Sequence, residues 1–314
     1  PPTSTGISIS PSSGVVTGST LSCSAGFNDL EDGSLTPTYD WTVGGNSISG
    51  TTTYTVNNID TNVGDSVLCT ASVTDSDGNT VTDSATVTVD NTNPIISNVS
   101  VSPNIAVTND ATLTCSASAS DIDESVSPTF AWNQNGAQFA TGATVDLSQH
   151  SINPNDIIEC VASVSDSNGG TASGTDSVGI GNRAPVVTVP TISNTSPEAD
   201  ETITCSATVT DADGGTPTVT YEWSNGQSTL GNGATLTLSP STVNVGDPIV
   251  CTVTATDGYG MTGGSSNLAT VINTDPTISA STISPSTANV NDLLTCTATG
   301  NDLNDGSITP TYAW

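Results

Sequence analysis

The sequence predicts an all-β chain built as a tandem array of one small domain, and three observations carry that expectation. Four tryptophans, Trp41, Trp132, Trp223 and Trp314, recur at a constant spacing of 91 residues. Cysteines flank three of them, so that each Trp lies 17 or 18 residues after one cysteine and 28 before the next. Around these landmarks apolar and polar residues alternate, which is the period of a half-buried strand. A repeat of this kind marks the physical unit directly and overrides what chain length alone suggests.

The first cysteine strand reads Leu21, Cys23, Ala25, Phe27, then Leu113, Cys115, Ala117, then Ile203, Cys205, Ala207, Val209. The tryptophan strand follows as Tyr39, Trp41, Val43, as Phe130, Trp132, and as Tyr221, Trp223. The second cysteine strand alternates most clearly, with Val67, Cys69, Ala71, Val73, with Ile158, Cys160, Ala162, Val164, and with Ile249, Cys251, Val253, Ala255. Turn signals separate the strands: Asp32-Gly33, Gly44-Gly45, Asp77-Gly78, Asn135-Gly136, Asn168-Gly169-Gly170 and Asn225-Gly226. No amphipathic stretch of helical period exceeds two turns. Each copy is introduced by an Asn shortly before a proline, in Asp90-Asn91-Thr92-Asn93-Pro94, Asn182-Arg183-Ala184-Pro185 and Asn273-Thr274-Asp275-Pro276. Proline fixes φ and restricts its predecessor, so these linkers should be short, extended and stiff. The expected repeats are 1–90, 91–181 and 182–272, with an incomplete copy at 273–314.

Seven cysteines resolve most economically as Cys23 with Cys69, Cys115 with Cys160 and Cys205 with Cys251, leaving Cys296. Closing a loop of about 46 residues stabilises a domain by roughly 4 kcal/mol in the chain-entropy model. Such bonds persist in oxidising surroundings, so the expected location is extracellular or at the cell surface. The partner of Cys296 is expected past Trp314, so the chain should continue with further units; completion by a neighbouring subunit's strand is the less favoured alternative. The sequence has 31 Asp and Glu against one basic residue, Arg183, a net charge of -30. That balance excludes nucleic acid and anionic bilayers as electrostatic partners and favours cations. Without lysine, a Lys–Asn isopeptide crosslink is excluded too. No apolar run approaches the roughly 20 residues of a membrane span, so membrane insertion is not expected in this segment.

A cysteine, a tryptophan about 18 residues on and a cysteine about 28 beyond it resemble the immunoglobulin arrangement, in which the Trp packs against a disulfide joining two sheets. The resemblance covers the whole chain. It implies tandem immunoglobulin-like β-sandwich domains, each with one inter-sheet disulfide and with Trp41, Trp132 and Trp223 in the core, arranged as an extended rod. The chain departs from antibody domains two residues before the second cysteine, where their tyrosine is replaced by Val67, Ile158 and Ile249. A second resemblance is to PKD-like and cadherin-like repeats of bacterial surface fibres and adhesins. It rests on Asp75-Ser76-Asp77-Gly78, Asp166-Ser167-Asn168-Gly169, Asp211-Ala212-Asp213-Gly214 and the linker Asp90-Asn91-Thr92-Asn93-Pro94. The PKD signature after the tryptophan strand is missing, since Trp41 leads into Thr42-Val43-Gly44-Gly45.

In such a sandwich the loop after the first cysteine strand, the hairpin after the second and the incoming linker lie at one end. Acidic residues collect in all three. The second unit offers Asp121, Asp123, Glu124 and Asp166, with Asp90, Asn91 and Asn93 from the linker. Converged oxygens of this type suit Ca²⁺, which takes six to eight; the simpler reading is that Asp-Gly and Asn-Gly make turns and that acidic loops keep a secreted chain soluble. The first unit offers Asp29, Glu31, Asp32, Asp75 and Asp77, the third Asp211, Asp213 and Asp257, and Arg183 weakens the calcium case in the third. Catalysis is not expected: His150 is the single histidine and has no counterpart in the other units. The sequons Asn98-Val99-Ser100 and Asn194-Thr195-Ser196 arise readily by chance in so Ser- and Thr-rich a chain. The expected function is a non-catalytic structural segment of a long extracellular fibre or filament, associating with itself or continuing in one chain. The alternative is an adhesin stalk or module that recognises a glycan or a partner surface.

Overall fold

A computed structural model describes residues 1–314 and is all-β, apart from a single 3₁₀ turn at Leu147–Gln149. It divides into two compact units, Pro1–Ile180 and Gly181–Trp314. The first unit holds two complete immunoglobulin-like sandwiches.

The first sandwich comprises β1 (Thr3–Ser10), β2 (Thr20–Asp29), β3 (Gly33–Leu35), β4 (Thr38–Val43), β5 (Asn46–Ser49), β6 (Thr53–Thr55), β7 (Ser66–Thr74) and β8 (Thr80–Thr88). One sheet has the order β1-β2-β3, with β6 also paired to β2; the other has the order β5-β4-β7-β8. The second sandwich repeats this with β9 (Ile95–Ser102), β10 (Thr112–Ser120), β11 (Thr129–Gln134), β12 (Ala137–Thr141), β13 (Thr144–Asp146), β14 (Ile157–Ser165) and β15 (Thr171–Gly179). Its sheets are β13-β10-β9 and β12-β11-β14-β15. The sequence builds the hairpin between β11 and β12 with Asn135 at φ 50° and Gly136 at φ 88°. Both positive values are what a two-residue turn matching strand twist demands, and Asn and Gly reach them at least cost.

The staple joins the two sheets in each copy. Cys23 on β2 bonds Cys69 on β7, and Cys115 on β10 bonds Cys160 on β14. Trp41 and Trp132 lie directly opposite the second cysteine of their pair and are fully buried. Each indole also finds an acceptor, which a buried N–H needs: Trp41 Nε1 donates to the Thr51 carbonyl at 2.8 Å and Trp132 Nε1 to that of Gly142 at 2.9 Å. Leu113, Val145, Leu147 and Ile158 close the second core around the indole. The tyrosine corner of antibody domains has no equivalent at Val67 or Ile158, both buried apolar residues. Tyr39 instead lends its hydroxyl as acceptor to the Ala25 N–H at 3.2 Å.

In the second unit a third sandwich is joined by Cys205–Cys251, with Trp223 fully buried and donating to the Gly233 carbonyl at 2.9 Å. Its sheets pair strands Thr191–Ile192, Thr202–Ser206 and Thr235–Thr237, and strands Thr229–Asn232, Thr218–Ser224, Pro248–Thr256 and Thr262–Thr270. Val186–Val187 and Val209–Thr210 pair as a separate two-stranded sheet, and the strands from Thr277–Ile278 to Gly306–Ile308 form one three-stranded and one two-stranded sheet. There Cys296 is a free thiol and Trp314 is 78% exposed.

Candidate functional site

Three segments meet at the linker end of the second sandwich: the linker 90–93, the loop 121–124 and the hairpin 166–170. The hairpin carboxylate Asp166 organises the meeting. Its Oδ1 accepts from the backbone N–H of Asn168 at 2.9 Å and Gly170 at 2.7 Å, while Oδ2 accepts from the Asn91 side-chain amide at 2.9 Å. The loop is held in the same way: Asp121 Oδ1 accepts from the Asp123 N–H at 2.7 Å, and Asp123 Oδ2 from the Thr92 N–H at 2.7 Å. Gly170 lets the linker approach, since a methyl group there would fall 2.2 Å from Asp166 Oδ2 and 2.6 Å from Asn93 Oδ1.

Of the residues singled out above, this brings together Asn91, Asn93, Asp121, Asp123 and Asp166. Glu124 turns aside, both its oxygens accepting from the backbone N–H and hydroxyl of Ser167. Asp90 is exposed and its N–H donates to the Val15 carbonyl of the first sandwich at 2.6 Å. What the network leaves over are four oxygens: Asn91 Oδ1, Thr92 Oγ1, Asp121 Oδ2 and Asp123 Oδ1 are buried and have no hydrogen-bond partner. A buried acceptor without a donor costs about 1–3 kcal/mol, so four at one place call for an explanation. Two carboxylates, an amide and a hydroxyl form a set of hard oxygens of the kind Ca²⁺ takes. No three His, Cys, Asp or Glu side chains group closely enough to hold a metal by themselves. An ion here would depend on the linker oxygens of Asn91 and Thr92 as much as on the carboxylates. Thr92 was not singled out by sequence reasoning; its signal is the 91-residue period, which sets it in register with Arg183 and Thr274.

The first sandwich faces this end. Asn58 Nδ2 donates to the Ile122 carbonyl at 3.3 Å, and a depression of about 230 Å³ is lined by Asn62 and Val63 from the first sandwich and Asp123, Glu124, Ser167 and Asn168 from the second.

The third sandwich repeats the frame. Asn182 Nδ2 donates to Asp257 Oδ2 at 2.8 Å, Asp257 Oδ1 accepts from the N–H groups of Tyr259 and Met261, and Asp211 Oδ1 accepts from the Asp213 N–H at 2.9 Å. Arg183 stands where the second copy has Thr92, and its N–H donates to Asp213 Oδ2. Its guanidinium donates to Asp213 Oδ1 from Nε at 2.8 Å and from Nη2 at 2.7 Å, and to the Ala212 carbonyl at 3.0 Å. In the last copy the Thr274 N–H meets Asn304 Oδ1 at 2.8 Å, a neutral amide in place of the carboxylate. The first copy keeps the loop and hairpin, with Asp29 accepting from Glu31 and Asp32, and Asp32 from Ser76.

The clamps are charge-assisted. The side-chain amide of Asn91 and the backbone N–H groups around it hold Asp166 below the ordinary carboxylate range, against burial, and Asn182 does the same for Asp257. A depressed folded pKa gives a contribution that is complete above the unfolded value of about 3.9 and is lost as pH falls from there through the folded value. We therefore expect the side-chain amide resonances of Asn91 and Asn182 to shift below about pH 4, ahead of any change in the core strands. Resonances that stay fixed until global unfolding would refute the clamp.

Elsewhere the chain offers little chemistry. His150 is exposed and sits edge-on to Phe139 at 4.8 Å between ring centroids. A depression of about 530 Å³ on the second sandwich is lined by Ser, Thr, Val and Ala, including Ser127, Thr129, Ser163 and Thr171, with no titratable group.

No protein-family model matches the chain, and no curated protein matches it. Among solved structures it is similar to a Ca²⁺-stabilised ice-binding adhesin of an Antarctic bacterium, at 17% identity over 88% of this chain and 76% of that one, with a TM-score of 0.36. It is similar to a 1.5-MDa bacterial ice-binding adhesin at 19% identity, 85% and 98% coverage and a TM-score of 0.31. Mouse cadherin-23 repeats EC22–24 match at 16% identity, 85% and 98% coverage and a TM-score of 0.30.

Proposed function

We propose that this chain is a non-catalytic structural segment of a long extracellular fibre or cell-surface filament, with repeats at 1–90, 91–181, 182–272 and 273–314. The observation that supports the reading is sameness where a binding or reaction site would differ. Three copies share the same inter-sheet staple, the same indole donating to a loop carbonyl, and the same Asn-to-Asp clamp or hairpin carboxylate at the linker end. Disulfides in every complete copy favour an oxidising location. Ca²⁺ belongs to the reading as a stiffener: Asn91, Thr92, Asp121 and Asp123 would take it, tying the incoming linker to the loop of the second sandwich. Partners are further units of the same kind. Negative-stain microscopy of the native material tests this, with beaded filaments of constant repeat expected. Isolated stalks ending in a distinct tip domain would instead place the chain in an adhesin and overturn the fibre reading.

A further inference from the structure

The internal repeat allows one position to be compared in two copies of the same frame. Thr92 and Arg183 are 91 residues apart, each follows the clamping asparagine, and each donates its backbone N–H to the second aspartate of the loop, Asp123 or Asp213. In the second copy Asp123 Oδ1 and Asp121 Oδ2 are buried without a partner. In the third, Asp213 Oδ1 receives two guanidinium donors, its side chain is 1% exposed, and neither Asp211 nor Asp213 keeps a buried unpartnered oxygen. Only Asn182 Oδ1 remains so in that copy.

We propose that the Arg183 guanidinium is a built-in cation that fills in the third sandwich the seat which the second sandwich leaves to a divalent ion. The proposal rests on the calcium reading of the second sandwich given above. In the third sandwich the leftover carboxylate oxygen of the loop is then met without metal, and in the second only by a bound ion. A planar guanidinium can do this because it stays charged at every physiological pH and gives several donors in a fixed fork to a carboxylate. The exchange runs in both directions: threonine at position 183 exposes a carboxylate seat, and arginine at position 92 fills one.

Hydrogen exchange by mass spectrometry on the full chain, with about 10 mM Ca²⁺ or with chelator, reads each copy separately. At a concentration about ten times the dissociation constant, which is 10⁻⁴–10⁻³ M for extracellular sites, the bound loops should exchange about tenfold more slowly. In the unmodified chain, loops 90–93 and 121–124 should show that slowing, and loops 182–184 and 211–213 should not. Arg183→Thr should transfer the calcium response to the third copy, and Thr92→Arg should remove it from the second. A second copy indifferent to Ca²⁺ overturns the calcium reading itself. A responsive second copy with a third that responds before substitution, or gains nothing in Arg183→Thr, overturns the assignment to Arg183 alone. If Arg183→Thr is locally unfolded in both conditions, Thr92→Arg decides: a calcium response that survives it counts against the proposal.

Discussion

Trp132→Ala is expected to unfold the second sandwich selectively, at a cost of about 3–5 kcal/mol. The indole is fully buried among Leu113, Val145, Leu147, Ile158 and the Cys115–Cys160 bridge, so truncation leaves a cavity that two hydrogen-bonded sheets cannot collapse to fill. It also strips the Gly142 carbonyl of its donor, adding the cost of an unmade bond. For a domain of this size about 4 kcal/mol corresponds to a midpoint lowered by on the order of 15 °C or more. Hydrogen exchange resolved along the sequence checks it: amides of β11 and β14 should lose protection while those of β4 and β7 keep theirs. Trp132→Phe separates the two causes, since it retains most of the apolar volume and loses the N–H. Equal loss in both variants would mean that the hydrogen bond, and not the packing, dominates.

Removing the Cys115–Cys160 bridge by paired alanines should cost about 4 kcal/mol, the chain-entropy value for a loop of this length, whose sequence separation is 45. The bridge lies between sheets that no other disulfide joins, and both sulfurs belong to residues that are at most 2% exposed. Reductant should therefore act on the native chain only as fast as the sandwich opens, and the rate should rise steeply with temperature. Immediate reduction at room temperature would contradict the burial. Trp132 sits opposite Cys160, so the two losses should not add; the combined variant should fall short of their sum.

Much of the fold was readable because burial wrote itself into period two. Leu113 and Cys115 are buried and their neighbours exposed, and the same alternation runs through Ile158, Cys160, Ala162 and Val164. Interruptions were harder to read. The opening strand of the second sandwich runs unbroken from Ile95 to Ser102, whereas its counterpart in the third is split into Val186–Val187 and Thr191–Ile192. Pro190 lies in that gap and has no N–H to give a ladder. At the linker end, composition disclosed that carboxylates gather, and not which oxygens would lack a donor. That depends on bonds such as Thr92 to Asp123 and Asn91 to Asp166, between residues 31 and 75 positions apart. Glu124 looked equivalent to its neighbours and is spent on Ser167; Thr92 looked like any other threonine.

The tethering of Arg183 has a consequence for resistance to proteolysis. Proteases of the trypsin type must swallow a basic side chain into their specificity pocket before they can cut, and this chain presents only one such side chain. Its guanidinium is already engaged by Asp213 and Ala212, so the single bond those enzymes could sever is offered with its recognition handle withdrawn.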